Sequence, residues 1–531
     1  MFDIVIRNGL IFDGSGGLPF SGDIGITGKR IGAIGKLDAT NSQHVIDAEG
    51  LAIAPGFINM LSWACESLLE DGRSQSDIWQ GVTLEVMGEG FSYGPLNDAL
   101  KQELIQRQGD IRFDVSWNTL DEYLATLVEL GVSTNVGSFV GTATLRAYVM
   151  GYDDRPATQC ELDQICGLAT QALKSGALGV SSALAYVPDI FYRTEELVSL
   201  ARVAAEQDRL YIAHMRGEGD HLLEGIDELI YIAEQSGARV EIYHFKVAGW
   251  RNWHKLDEAI ERIESARARG LQITANLYPY CAAASGLDLV MPPWVQEGGH
   301  QAWVARLKDA DVREKLMKEI SLPADSWENA FLEVENMDGI LLVEFKNPAL
   351  KHLTGKTLAE VAAMRGQSPE ETVIDLVIED DSRVGVVYFT MSEENLCRQI
   401  QLPWVSLCSD AASLAPEGVF LRSSTHPRAY GSFARFLGKY VRDEGLISLS
   451  EAIRRLTSLP ADNLRLTDRG VLKPGYYADL VFFDAQKIQD HATYLQPHQY
   501  ASGVQQVIVN GEWVIKDGEH TGALPGMVVS A

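Results

Sequence analysis

The sequence predicts an α/β protein: a (β/α)₈ TIM-like barrel with a small β-sandwich built from both chain ends and an inserted lid subdomain. Three observations predict it. Eight short apolar runs alternate with amphipathic helical stretches through the middle of the chain. Glycine-broken strand patterns occupy both ends. One connection between the apolar runs is far longer than an ordinary barrel loop.

The eight runs are IAPGFINML, TLEVMGE, TNVGSFVG, LGVSSALAY, RLYIAH, RVEIYH, LQITAN and PWVSLCSD. Continuous apolar strands with helices between them imply a parallel sheet covered on both faces, and eight such units imply closure. Helices are expected in TEELVSLARVAAEQ, LLEGIDELIYIAEQSG and LDEAIERIESARARG, where apolar residues recur every three to four positions. The barrel is assigned to residues 55–286 and 347–469. The stretches FARFLGKYVRDEG and SEAIRRLTSLPADNL complete it.

At the N-terminus DIVIRNGLIFDGSG, GDIGITGKRIGAIG and HVIDAEGLAIA read as strands, as do ADLVFFDA and VQQVIVNGEWVIKDGE near the other end. Each piece alone has too few strands to bury a face, so residues 1–54 and 470–531 are expected to form one joint sandwich. Roughly 125 residues separate the seventh and eighth barrel strands. Their first half, residues 287–346, reads as an inserted unit over the C-terminal rim, where it would act as a lid.

Composition bounds the function. The chain has 531 residues, 46% hydrophobic and 22% charged, the balance of a globular protein with a real core. Its formal charge of −28 repels phosphate backbones and argues against a nucleic-acid partner. It would also repel an anionic substrate, so a carboxylate ligand needs cations inside the site. No apolar run is long enough to span a membrane, so no membrane partner is expected. Six scattered cysteines, without a CxxC pair, read as reduced thiols of a cytoplasmic protein. The start, MFDIVIRNG, lacks the features of a signal peptide, although a chain with its leader removed would read the same. A homo-oligomer stays open.

In such a barrel the C-terminal strand ends face the active site. His214 closes RLYIAH and His244 closes RVEIYH, one βα unit later. A lone histidine is usually structural. Two at equivalent positions on neighbouring strands suit a shared zinc ion. Glu89, flanked by Gly88 and Gly90 at the end of the second strand, is the candidate third ligand. Glu85, deeper in that strand, reads as structural. Asp410 ends the eighth strand in LCSD, where it would take a proton from an attacking water and return it to a leaving nitrogen. The plainer reading of Asp410 is a cap on the following turn.

Cations follow the histidines: Arg216 two residues past His214, and Lys246 two past His244. The parity of Lys246 with His244 aims it into the same mouth, where it would hold a substrate carboxylate. Arg422 precedes the HPRAYG stretch, and Arg428 lies within it. Tyr186, Tyr278 and Tyr280 lie near strand ends as candidate hydrogen-bond donors to substrate, or as rim packing.

With these residues in place the chain resembles the amidohydrolase superfamily, and within it the D-aminoacylase (N-acyl-D-amino-acid deacylase) branch. The resemblance runs nearly end to end. It rests on IVIRNGLIFDGSG, IAPGFI, GVTLEVMGEGFSYGPL, GALGVSSALAYVPD, HMRGEGD, IYHFK, LYPY, LCSDAA, HPRAYGSFARFLG and ADLVFFDA. It implies a metal-bearing barrel, a β-sandwich from both ends and hydrolysis of N-acyl amino acids. Two departures stand out. The family's His-x-His pair on the first strand is replaced by Leu61 and Trp63, neither of which can bind a metal. A family cysteine in a GNCG-like turn is absent, and the shorter turn reads Gly88-Glu89-Gly90. The resemblance therefore implies one metal site rather than two, as in some related sugar deacetylases, with Trp63 shaping the pocket.

The resulting expectation is a mononuclear metal-dependent amidohydrolase. One zinc ion binds Glu89, His214 and His244. Asp410 shuttles the proton. Lys246, with Arg216 or Arg422, holds the carboxylate of a small N-acyl amino acid, and Tyr186 and Tyr278 add donors. The rivals are a same-fold hydrolase of a cyclic amide or dipeptide-like substrate, and a non-catalytic protein that has kept the barrel.

Overall fold

The computed structural model describes every residue except Ala39, Asn41 and Asp325. Eight parallel strands form the barrel, each short and buried: Phe57–Asn59, Val82–Met87, the pair Asn135–Ser138 and Val140–Gly141, Gly179–Ala183, Leu210–His214, Arg239–Ile242, Ile273–Leu277 and Val405–Leu407. These are the eight runs expected from sequence. The ring closes where the Met60 N–H donates to Leu407 O at 3.3 Å and the Asp410 N–H to Leu61 O at 2.9 Å.

The three expected helices are present as Thr194–Glu206, Leu222–Ser236 and Leu256–Ala268. Thr194–Glu206 buries Leu197, Val198, Leu200, Ala201 and Ala204, an apolar stripe at helical spacing. Leu222–Ser236 buries Leu222, Ile226, Leu229, Ile232 and Ala233. It stops at Gly237, whose φ of 73° is a left-handed cap that glycine adopts without a Cβ penalty. The strands' outer side chains and these stripes share one large apolar core.

Both chain ends meet in one nine-stranded sheet. Phe2–Ile11 pairs with Phe20–Thr27 and Ser42–Asp47, and its last residues lie beside Ala52–Pro55. Ala52–Pro55 pairs in turn with Leu480–Phe483. Ile4, Ile6, Ile24, Ile53, Leu480, Phe482 and Ile508 bury one shared cluster, so neither end could complete it alone. Parts of the 470–531 stretch lie on the barrel instead. The tail runs along the third barrel strand, where the Val136 N–H donates to Met527 O at 2.9 Å and the Val529 N–H to Val136 O at 2.8 Å.

The insertion is larger than its expected bounds of 287–346. Ala283–Gly286, Ile340–Glu344 and Gly385–Tyr388 form one antiparallel sheet. An apolar cluster from Leu287 to Tyr388 packs with it. Residues 347–388, expected in the barrel, therefore belong to the inserted unit, because the last strand pairs with both earlier ones. Among the described residues, no helix is long and apolar enough to cross a membrane.

Candidate metal centre

His214 sits where parallel pairing ends. Its neighbour in register is Ala183 on the preceding strand, and Ala213 pairs with Ile242 on the next. His244 lies two residues past Ile242 and turns into the mouth with a φ of 33°. Its N–H donates to Asn276 Oδ1 at 2.8 Å, and Asn276 Nδ2 donates to buried Glu241 at 2.8 Å. The two imidazoles are 4.6 Å apart, centroid to centroid, and nearly perpendicular.

Glu89 projects from a turn that only glycines allow. Gly88 and Gly90 have φ of 98° and 60°. A Cβ on Gly88 would lie 2.4 Å from Phe139 O, and one on Gly90 would lie 2.4 Å from the Ala183 Cβ. The chain thus passes close under the neighbouring strands and delivers Glu89 to His244, whose Nε2 lies 2.8 Å from its Oε1. One ligand atom each from Glu89, His214 and His244 falls within 4.8 Å of the others, and all three residues are buried. A carboxylate and two imidazoles converging away from water fit a divalent ion. His214 Nδ1 lies 2.9 Å from Met215 O, which leaves its Nε2 for a ligand.

Charge around this trio is tightly balanced. Burial holds His214 down at about 4. Burial and Lys246 also press His244 downward, but Glu218 and Glu89 outweigh them and lift it to about 9. Burial pushes Glu89 upward, yet His244 wins and keeps its carboxyl below the usual range. Glu218 accepts from Lys246 Nζ at 2.6 and 2.7 Å and lies 3.1 Å from His244 Nδ1. Sequence reasoning missed Glu218. Gly217-Glu218-Gly219 repeats the glycine-bracketed glutamate of residues 88–90 and was the available signal.

Asp410 stands beside the trio, at a left-handed φ of 50°. Its Oδ2 lies 2.8 Å from Arg428 Nη1, and its Oδ1 accepts from Trp63 Nε1 at 3.1 Å. Burial raises its carboxyl above the usual range, against the opposing pull of Arg428 and His244. Arg428 is buried over the Tyr278 ring, 4.4 Å from its centroid. Among the described residues, Arg428 Nε and the Tyr278 hydroxyl are buried without a hydrogen-bond partner, and Arg428 Nη1 has only its ionic contact with Asp410. Such unmade donors are costly unless a ligand accepts from them.

Residues 294–515 match the amidohydrolase family. A D-aminoacylase of Alcaligenes xylosoxydans xylosoxydans is 31% identical over 100% of this chain and 98% of its own length. The chain belongs to the amidohydrolase family, in its D-aminoacylase branch. The crystal structure of N-acyl-D-glutamate deacylase from Bordetella bronchiseptica, complexed with zinc and a phosphonate inhibitor, is 29% identical with a TM-score of 0.82 over 100% of both chains. A D-aminoacylase structure concerned with one-metal activation and second-metal attenuation of a binuclear centre is 31% identical, also at 0.82 over 100% of both chains.

Three expectations about this amidohydrolase's site need correction. Lys246 reaches the cluster, 2.7 Å from His244 Nδ1, but its ammonium is taken by Glu218. Arg216 is not free for substrate: it pairs with both Glu228 oxygens at 3.0 Å and donates to the carbonyls of Ile190 and Tyr192. Arg422 is exposed at the end of a 3-10 turn, Gly418–Arg422. Arg428, quoted within HPRAYG, is the arginine that enters the mouth. Tyr186 stands edge-on to His214 at 5.2 Å, with its hydroxyl 2.8 Å from Ser285 Oγ of the insertion. Tyr280 lies against His426 and Asp490, outside the metal trio.

Proposed function

We propose that this amidohydrolase removes the acyl group from N-acyl-D-amino acids with a single zinc ion held by Glu89, His214 and His244. The observation that carries the reading is the convergence of those three ligands beside Asp410, with the free donors of Arg428 and Tyr278 in the same mouth. The ion, when bound, polarises the scissile carbonyl and acidifies the attacking water. Asp410 takes the water's proton on its carboxylate as the new C–O bond forms, and returns it to the amine nitrogen as the amide C–N bond breaks. Arg428 and Tyr278 hold the substrate carboxylate, and the bias toward an anion disfavours a neutral cyclic amide. Glu218 and Lys246 orient His244. The insertion grips the loop after His214, since Glu328 accepts from the Gly219 and His221 N–H groups at 3.3 and 2.9 Å. It would act there as a lid that excludes bulk water. Six free cysteines fit a reducing, cytoplasmic setting.

Metal analysis with a hydrolysis screen tests this. Purified protein should carry one divalent ion per chain and release amino acid from N-acyl-D substrates in preference to N-acyl-L substrates, dipeptides and cyclic amides. Glu89→Gln and His214→Ala should lose the ion together with the activity. Asp410→Asn should keep the ion and lose roughly 10²- to 10⁴-fold in kcat. Turnover undiminished after complete metal removal would reject the mechanism.

A further inference from the structure

Trp63 lies where the first and eighth barrel strands close the ring. The Asp410 N–H donates to Leu61 O, and the Trp63 N–H donates to Ala411 O, both at 2.9 Å. These bonds flank Asp410 and fix the Trp63 backbone beside it. The indole turns back across the join, and its Nε1–H donates to Asp410 Oδ1 at 3.1 Å. Trp63 is 38% exposed between the buried Ser62 and Ala64. Ala64 and Cys65 just after it are buried. The ring is therefore only partly packed, and its N–H bond to Asp410 is the polar contact that fixes where it points.

We propose that Trp63 is a positioning residue for Asp410: its indole N–H and the Arg428 guanidinium hold the two carboxylate oxygens and so set the lone pair that meets the proton in transit. This inference rests on the general-base reading of Asp410 given above. The terminal torsion of an aspartate is broad and roughly two-fold, so a contact on one oxygen leaves the carboxylate plane loosely set. With Arg428 on Oδ2 alone it could swing about that contact; the indole on Oδ1 removes the swing. An indole suits the role because it only donates and has no basic nitrogen to compete for the proton.

Trp63→Phe keeps an aromatic ring and removes the donor. The expected result is a loss of roughly 10- to 100-fold in kcat, the range for a hydrogen bond to a charged group, with KM changed less than about threefold and the metal content unchanged. In an Asp410→Asn background the same substitution should cost nothing further. Independently of turnover, the Trp63 indole ¹⁵N–¹H resonance, identified by its absence in W63F, should shift in D410N. If W63F does not fold, β-(3-benzothienyl)alanine at this position keeps the ring shape and deletes only the N–H. Wild-type kcat in either replacement, beside an inactive D410N, would overturn the positioning role alone. Full activity in D410N would overturn the general-base reading, and this inference with it. A loss confined to KM would also count against positioning and make Trp63 a substrate contact.

Discussion

Several side chains in the barrel mouth carry more buried polarity than the described protein satisfies. The Tyr278 hydroxyl is the clearest: 3% exposed, without a partner, and held neutral because burial drives its pKa well above the ordinary phenol value. Tyr278→Phe should leave thermal stability unchanged or slightly raised, since nothing in the free protein is lost. It should raise KM for N-acyl amino acids by about 10-fold, the scale of one hydrogen bond to a carboxylate. Steady-state kinetics with a melting curve checks both halves. Asp77 gives a second residue-scale test. It is fully buried, and burial lifts its carboxyl from 3.8 to about 7, against donation from Asn59 Nδ2 at 3.1 Å. A raised folded pKa means that its stabilising share is whole below the unfolded value and is lost as pH rises through the folded one. Asp77→Asn, neutral at every pH, should therefore gain on the wild type between about pH 4 and pH 7, by on the order of 1–4 kcal/mol. Urea midpoints at pH 5 and pH 8 measure the gain; equal differences at both would refute the assignment.

Among the elements, the turn through residues 88–90 is the most constrained. It packs under two neighbouring strands, and Gly90 N–H donates to Ser181 Oγ at 3.2 Å. Gly90→Ala adds a Cβ at 2.9 Å from the Ala183 nitrogen, at a φ that L side chains avoid. The strain, about 1–3 kcal/mol, should be relieved by moving Glu89, so bound metal should fall well below one equivalent while the circular dichroism spectrum is kept. Metal stoichiometry by atomic absorption decides it. Elements were also the best-read level of the sequence. All eight strands and the three barrel helices lie where apolar continuity and helical spacing put them, because burial on both faces leaves a signal in every residue. The insertion was read too short: Gly385–Tyr388 is as apolar as a barrel strand, and only its pairing with Ala283–Gly286 and Ile340–Glu344 reveals its sheet.

At the scale of the molecule, the formal charge of −28 surrounds a mouth that must admit a carboxylate. The field of such a surface slows approach of an anion until salt screens it, within a Debye length of about 10 Å at 0.1 M. For an anionic N-acyl amino acid, kcat/KM should rise between 10 and 150 mM salt. For the corresponding N-acyl amino acid amide it should stay flat, if that is turned over at all. A stopped assay across ionic strength at constant pH compares the two; a fall for the acid would show that local cations dominate at long range.

The sequence on its own determined the barrel and the union of the chain ends, and it pointed to His214, His244, Glu89 and Asp410 as the residues that meet at the mouth, because strand ends and glycine-bracketed turns are local patterns. The tertiary structure decided which cations are already paired and which keeps a donor beside Asp410. Arg216, Lys246, Arg422 and Arg428 are equally charged as letters. Arg216 is claimed by Glu228, Lys246 by Glu218, Arg422 lies in solvent, and Arg428, buried against Asp410, keeps its Nε without a partner among the described residues. What separates them is whether their donors are used up by the carboxylate each meets, and which carboxylate that is depends on how folding packs the strand-end loops together.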